Sequence, residues 1–296
     1  MKCGSPAHSV ALLRDQGLID RNRAAGDGTR VRAGAGAAPF RPMPTLDECL
    51  IDADDQIARW TEETDDDPSA SSRQQAARER AERVRAASDR LPELEAEKKP
   101  AKRDRPRCST TDAEATVVTT ADGGFRPACN VQDAADTVRP VIVGVDGLAT
   151  GSDPGQMRPM AEPIHERHER YPAAYRAEGG YARHADREAV TGCGETVYAP
   201  VPRPKDASRD RHPRLPGDRP VIAAWRERTG TAGATAIDQD RAATAEGGNA
   251  QAGNRGLRPF VVRGLSKGKA VAMWFAVAHD VACGARLRAP RLATAM

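Results

Sequence analysis

The stretch "AYRAEGGYARHADREAV", Ala174 to Val190, sets a short apolar run before a lone acid, Glu178, then two glycines, an aromatic and a polar segment. Its start, with Ala173 included, reads as the strand "AAYRA", and its end reads as the helix "ARHADREAV". A strand that passes through a glycine turn into a helix is a unit of an α/β sheet. Glu178 then has two readings. It is either a turn residue on a solvated surface or a carboxylate set at a strand end to hold a metal.

Working outward from this stretch, the neighbouring sequence repeats the pattern. "ATVVTT", "GFRPACNV" and "RPVIVGVDG" are short, β-branched and bounded by Gly or Asp, so they predict three strands. "GQMRPMAEPIHERHER" predicts a helix before Ala174, and "TVYAPV" predicts a strand after Val190. The loop "PRPKDASRDRHPRLPGD" leads to helices near "PVIAAWRER" and "IDQDRAATAEGGNAQAG", a strand "PFVVRG", and a last helix "SKGKAVAMWFAVAHDV". Antiparallel strands followed by alternating β and α units predict an α/β fold, a sheet with helices on its faces.

Upstream the character differs. A helical pattern surrounds Leu12, Leu13 and Leu18, and a strand surrounds Val31 in "GDGTRVRAGAG". Thr45 and Glu48 have the spacing of a capping box and predict a helix from there to about Glu63. After "TDDDPSASS", a second helix rich in Glu and Arg carries Pro92 near its end, so residues 44–110 form a helical hairpin and a basic linker. A solvated arm laced with i,i+4 ion pairs is the plainer reading of that hairpin, and a DNA clamp the sharper one. The remaining divisions are 1–43, an N-terminal remnant with the first strand, 111–264, a catalytic core, and 265–296, a C-terminal helix and tail.

Composition narrows the function classes. The 296 residues include only 4% aromatics, 22 prolines and 26 glycines, and the mean hydropathy is −0.63, which predicts long irregular segments. Six cysteines without one C-x-x-C pair argue against a zinc ribbon, a redox motif or a disulfide framework. The N-terminus has no sustained apolar core of a signal peptide, and "AVAMWFAVAHDVACGA" is broken by His279 and Asp280 and reads as too short to span a bilayer. A cytoplasmic protein without a membrane partner is the expectation. A net charge of +3 leaves nucleic-acid affinity to local clusters. Those clusters are Lys98, Lys99, Lys102, Arg103, Arg105 and Arg107 in the linker, and Arg203, Lys205, Arg209, Arg211 and Arg214 in the later loop. "HERH" at 165–168 lacks the second spacer of a H-E-x-x-H site and reads as a polar helix face.

Several longer words are more specific. "GDGTRVRAGAGAAPFRPMPTLDECL", "ADGGFRPACNVQ", "VGVDGLATGSDPGQMRPM", "EGGYA", "TVYAPVP" and "RAATAEGGNAQAGNRGLRPFVVRGL" occur here in that order. From about Leu12 to about His279 the chain resembles bacterial insertion-sequence transposases of the DDE type, in the group named after insertion sequence eleven-eighty-two. The resemblance implies a ribonuclease-H-like core with a helical insertion after the first catalytic strand, and cleavage and joining of double-stranded DNA at transposon ends and target. It also implies self-association or pairing with a full-length transposase. That chemistry uses three carboxylates on two divalent cations, about 3.5 to 4 Å apart, which activate the attacking oxygen and stabilise the leaving one. The cofactor implied is Mg²⁺, with Mn²⁺ as the alternative.

Carried over by position, the first acid is Asp27 in "GDGTRVRA", the second Glu178 in "EGGY" and the third Glu246 in "TAEGGNAQ". These three are the candidate catalytic and metal-holding residues, and Arg241 and Arg255 join the basic candidates for DNA. Asp146 and Asp153 read as a turn and a helix cap, the latter before Pro154. Five departures predict impaired cleavage. Glu178 stands where the family has Asp, and its extra methylene moves the carboxylate by roughly 1.5 Å, against a tolerance of about 0.5 Å. Only 26 residues precede Asp27, which implies that most of the family's helical DNA-binding region is absent. Gly247, Gly248 and Gly253 each weaken the helix of Glu246 by about 1 kcal/mol, and Asp238 stands where relatives often carry Tyr. Pro140 removes a ladder donor at a strand start.

Overall fold

The computed structural model describes residues 6–19, 22–36, 38–62, 68–97, 106–119, 124–149, 151–168, 171–181, 183–206 and 208–293. Within these, side chains are described except at 6–9, 68, 70, 97, 167–168, 240–250 and 290–293.

In chain order the elements are α1 (Pro6–Asp15), β1 (Arg23–Arg32), β2 (Phe40–Arg41), α2 (Met43–Glu62), α3 (Pro68–Glu97), β3 (Cys108–Ser109), β4 (Thr116–Thr119), β5 (Phe125–Asp136) and β6 (Ile142–Leu148). They continue with α4 (Met157–His168), β7 (Ala174–Ala177), a single 3₁₀ turn (Gly179–Tyr181), α5 (His184–Gly192), β8 (Thr196–Tyr198), α6 (Pro220–Thr229), α7 (Ala232–Asn254) and α8 (Leu265–Ala293). The architecture is α/β with a mixed sheet. β5 pairs antiparallel with β1 on one side and with β4 and β6 on the other, and β7 and β8 follow β1 in parallel, giving the order β4-β5-β1-β7-β8 with β6 beside β5.

Both faces of the sheet are covered, which is why β5 is buried from Pro127 to Asp136 without alternation. One face packs Ala24, Ala134, Val143 and Tyr175 against Val10 and Leu13 of α1 and Met157, Met160 and Ile164 of α4. The other sets Val31, Cys129, Val131 and Val145 against Phe260 and Ala272 and Ala276 of α8. Gly284 lets α1 and α8 meet, because a Cβ there would lie 2.7 Å from Leu13 Cδ2. The hairpin α2–α3 has its own small core of Leu46, Val84, Ala87, Leu91 and Cys108. Arg85 and Asp54 pair across the two helices at 2.7 Å. Among the described cysteines all are free, and Cys108, Cys129 and Cys283 are buried.

Four sequence expectations are corrected. α2 starts at Met43, with the Pro42 carbonyl accepting from the N–H of Thr45 and Leu46, so Thr45 lies inside the first turn and not at a cap. "PFVVRG" is not a strand, because after one bridge between Arg32 and Pro259 the chain turns into α8. Pro140 lies outside β6 and leaves the ladder intact, its carbonyl accepting from His279 of α8 at 2.6 Å. Finally, Leu265–Ala289 is long and apolar enough to cross a membrane, its most apolar 18-residue window having a mean hydropathy of 1.2. His279 and Asp280, taken as interruptions, are instead buried contacts to the sheet, Asp280 Oδ1 accepting from Ile142 N at 2.8 Å. This is how a core helix of a sheet protein carries polar groups.

Candidate functional site

Asp27 lies in the middle of β1, the strand between the antiparallel and parallel halves of the sheet. Its triplet "GDG" is demanded by packing. A Cβ on Gly26 would lie 2.3 Å from the Tyr175 hydroxyl, and one on Gly28 would lie 2.4 Å from Gln132 Nε2 and 2.6 Å from Asp153 Oδ1. The Asp27 carboxylate is buried and accepts from Gly28 N at 2.8 Å. Directly across β5 its partner in register is Asp133, so two acids occupy one cross-strand pair on one face of the sheet.

Asp133 is buried, and its Oδ1 has no hydrogen-bond partner among the described residues. Burial first, and then the charge of Asp27, push its carboxyl up to about 8. The pair therefore holds a proton at neutral pH that two exposed acids would have lost.

Glu178 follows the last residue of β7. The parallel register ends with Gly26 opposite Ala177, so Glu178 continues the row beside Asp27. Its carbonyl accepts from Tyr181 N at 3.1 Å, closing the 3₁₀ turn, and its side chain is exposed. Glu246 lies on α7, the helix that packs across β1, β5, β7 and β8; Arg176 of β7 reaches the α7 carbonyl of Ile237 at 3.4 Å. The side chains of Glu246 and Arg241 are outside the described residues, as is the whole of Lys98, Lys99, Lys102, Arg103 and Arg105. Gly247, Gly248 and Gly253 do not interrupt α7, which runs to Asn254. Among the described residues no three His, Cys, Asp or Glu side chains cluster tightly enough to hold a metal. The two described acids are nonetheless hard-oxygen donors at adjacent strand positions, the donor type that Mg²⁺ prefers.

Asp153 is not the helix cap that its place before Pro154 predicts. α4 begins only at Met157, and its first N–H groups are taken by Asp186 of α5, at 3.0 Å from Met157 N and 3.1 Å from Arg158 N. Asp153 instead accepts from Asn130 Nδ2 at 2.7 Å, Gln132 Nε2 at 2.9 Å and Arg30 at 2.8 Å. Gln132 Oε1 in turn accepts from the Tyr181 hydroxyl. The Tyr181 phenol is held neutral first by burial, then by Tyr175 and the acids Asp153, Asp27 and Asp133. This network locks the turn after Glu178 to β1 and β5. Asp146 is likewise a strand residue, not a turn, and pairs with Lys269 of α8 at 2.9 Å.

Sequence reading missed Asp133 and the network of Arg30, Asn130, Gln132 and Asp153. A signal was present: "NVQD" sets three polar side chains within four residues of a strand flanked by apolar ones, and polar groups in a strand covered on both faces need partners. Of the basic candidates, Arg107, Arg203, Lys205, Arg209, Arg214 and Arg255 are exposed. Arg211 is half-buried and donates to Val201 O at 3.1 Å, so it shapes its own loop.

No family model, no curated protein and no solved structure matches the chain.

Proposed function

We propose that this chain is a DDE-type transposase core of ribonuclease-H-like fold, which cleaves and joins double-stranded DNA in insertion-sequence transposition with impaired catalysis. The observation that carries the reading is the placement of Asp27. It sits on the strand flanked by an antiparallel and a parallel neighbour, Glu178 directly follows the end of the parallel neighbour, and the helix bearing Glu246 packs across both. Three antiparallel strands, then two parallel ones joined by helices, with a helical hairpin after the first strand, agree with that fold. The words that resemble the transposases contribute these same three acids.

Asp27, Glu178 and Glu246 would hold Mg²⁺ or Mn²⁺, and the bound ions would supply Lewis-acid stabilisation of the charge on the scissile phosphate. The chain's own part is to fix the carboxylates. β1 and β5 pin Asp27 between two glycines, and the Asp153 network fixes the backbone turn that carries Glu178. The longer glutamate on an exposed turn is the weak member. The basic residues of the linker and of the 203–214 loop, with Arg241 and Arg255, are offered to phosphates, and the setting is cytoplasmic, with a second copy or a full-length relative as protein partner.

A second reading has one observation in its favour. Glu178, exposed and one methylene longer than the acid the transposases carry there, fits a non-catalytic form that binds DNA or a full-length transposase without cutting.

Nicking of a supercoiled plasmid separates the two. Wild type should nick weakly in Mn²⁺ and less in Mg²⁺, whose octahedral demand is stricter. Glu178→Asp should raise the Mg²⁺ rate, and Asp27→Ala should abolish nicking. No nicking by wild type or Glu178→Asp in either metal, with DNA binding retained, would establish the second reading. Strong Mg²⁺ nicking unchanged by Glu178→Asp would show Glu178 to be an adequate ligand.

A further inference from the structure

Asp133 is outside the three acids carried over from the transposase words, yet the fold sets it directly opposite Asp27. Opposed residues of an antiparallel pair point to the same face, with Cβ atoms about 4.5 to 5.5 Å apart. Val31 and Val131, an even number of residues from the two acids along the same strands, pack on that face against Phe260, Ala272 and Ala276. Arg176, in register with Ala25, reaches the α7 carbonyl of Ile237 from the same face, and α7 contacts both β1 and β5. The acid pair therefore lies on the side of the sheet covered by the helix that bears Glu246.

The strand surroundings of Asp133 offer its carboxylate no donor. Its same-face neighbours along β5 are Val131 and Ala135, and on β6 it is opposed by Val145. Its Oδ1 is buried without a hydrogen-bond partner among the described residues, an orphaned acceptor beside a second acid. Like charges opposed across two strands repel, and an unpaired buried charge is among the costliest groups a core can hold. A cation between the two carboxylates removes both costs. Each acid keeps 8% of its surface exposed, so the pair is not sealed from solvent. Mg²⁺ retains several waters and takes one or two protein carboxylates. A pair therefore suffices where no tight three-ligand cluster exists among the described residues.

We propose that Asp133 is a metal-holding residue, which forms with Asp27 the carboxylate pair that seats a divalent cation on the α7 side of the sheet. This rests on the reading of the site as metal-dependent. Asp133 supplies from the middle of β5 a buried oxygen donor that the exposed, longer Glu178 supplies less firmly from the turn after β7.

The test is Mn²⁺ binding to the whole chain without DNA, by isothermal titration calorimetry at one pH, so that it does not depend on cleavage. Asp133→Asn keeps the shape and removes the charge, and should weaken Mn²⁺ by about tenfold or more, as should Asp27→Asn; loss of a mere outer-shell partner already costs about 10- to 100-fold. Glu162→Gln, on α4 and paired with Arg158 at 2.8 Å, should leave the affinity unchanged. A thermal melt is the second readout. Mn²⁺ at about a hundred times the wild-type Kd should raise the wild-type Tm by about 5 °C and that of Asp133→Asn by half of this or less. If Asp133→Asn has no native melting transition, the wild type decides: Fe²⁺ with ascorbate and peroxide should cut the backbone at β5 near Asp133 as well as at β1 near Asp27. Cuts at β1 alone, or an Mn²⁺ affinity unchanged by Asp133→Asn but lost in Asp27→Asn, overturn Asp133 as a ligand and leave the pair satisfied by a shared proton. A wild type that binds no Mn²⁺ overturns the pair as a cation site. Mn²⁺ binding that depends on Asp133, without plasmid nicking, sinks the catalytic reading alone; nicking and Mn²⁺ affinity that both survive Asp133→Asn sink this inference alone.

Discussion

Glu195 offers the sharpest test of the packing. It sits at the entry to β8, its side chain is buried, and neither carboxylate oxygen has a hydrogen-bond partner among the described residues. Burial alone pushes its carboxyl from the ordinary 4.5 up to about 8. Between those values the folded protein keeps a proton that the unfolded chain has lost. Stability attributable to this group is therefore full below about pH 4.5 and is lost as pH rises toward 8. The interval is about 3.5 pH units, and at about 1.4 kcal/mol per unit the loss approaches 5 kcal/mol at most. That is a large part of the 5 to 15 kcal/mol total stability typical of a domain.

Glu195→Gln removes the titration and keeps the shape. Urea unfolding of both proteins at pH 5, 6.5, 8 and 9 should give similar stabilities at pH 5, with the variant about 3 to 5 kcal/mol more stable at pH 9. Asp280, pushed up to about 7 mainly by burial, titrates in the same sense. It does so in both proteins, so the difference between the two curves isolates Glu195. Parallel curves from pH 5 to 9 would refute the reasoning, because a carboxylate that costs nothing to ionise in place is not desolvated.

Two further substitutions test the scaffold of the site. Asp186→Ala, which frees the first two N–H groups of α4, should destabilise by about 2 kcal/mol, read as a drop in urea midpoint at constant slope. Asp153→Ala strips Arg30, Asn130 and Gln132 of one shared acceptor and should destabilise by about 3 kcal/mol, more than Asp153→Asn, which keeps one oxygen acceptor; equal losses for the two variants would mean that the retained oxygen contributes nothing and that the charge paired with Arg30 carries the whole effect.

The strands β4 and β6 were legible because their β-branched runs are bounded by Gly or Asp, and α3 because Glu and Arg alternate along it at helical spacing. The terminal helix was legible in place but not in length. His279 and Asp280 read as breaks in sequence, whereas the fold gives them backbone partners on β6 and the turn before it. The misreading of Asp153 has a similar cause. Asp before Pro is a local cap signal, and only the pairing of β1 with β5 brings Arg30, 123 residues away in sequence, to it beside Asn130 and Gln132. Asp133 could not be weighed from its neighbours alone, since its meaning lies in standing opposite Asp27. The strand expected at "PFVVRG" failed for want of a second pairing partner beyond Arg32.

The glycines around Asp27 and the exposure of Glu178 separate two kinds of selection. A side chain at Gly26 would press on the buried Tyr175 ring, and one at Gly28 would displace Gln132 and Asp153 from their contact, so either substitution disturbs the buried core. The side chain at 178 is exposed, and it can change without unfolding the protein. Among diverging copies of such a gene, the glycines beside the first acid should therefore outlast the second acid. Under the proposed function, a copy changed at 178 but unchanged at 26 and 28 would keep its fold while losing a metal-holding carboxylate.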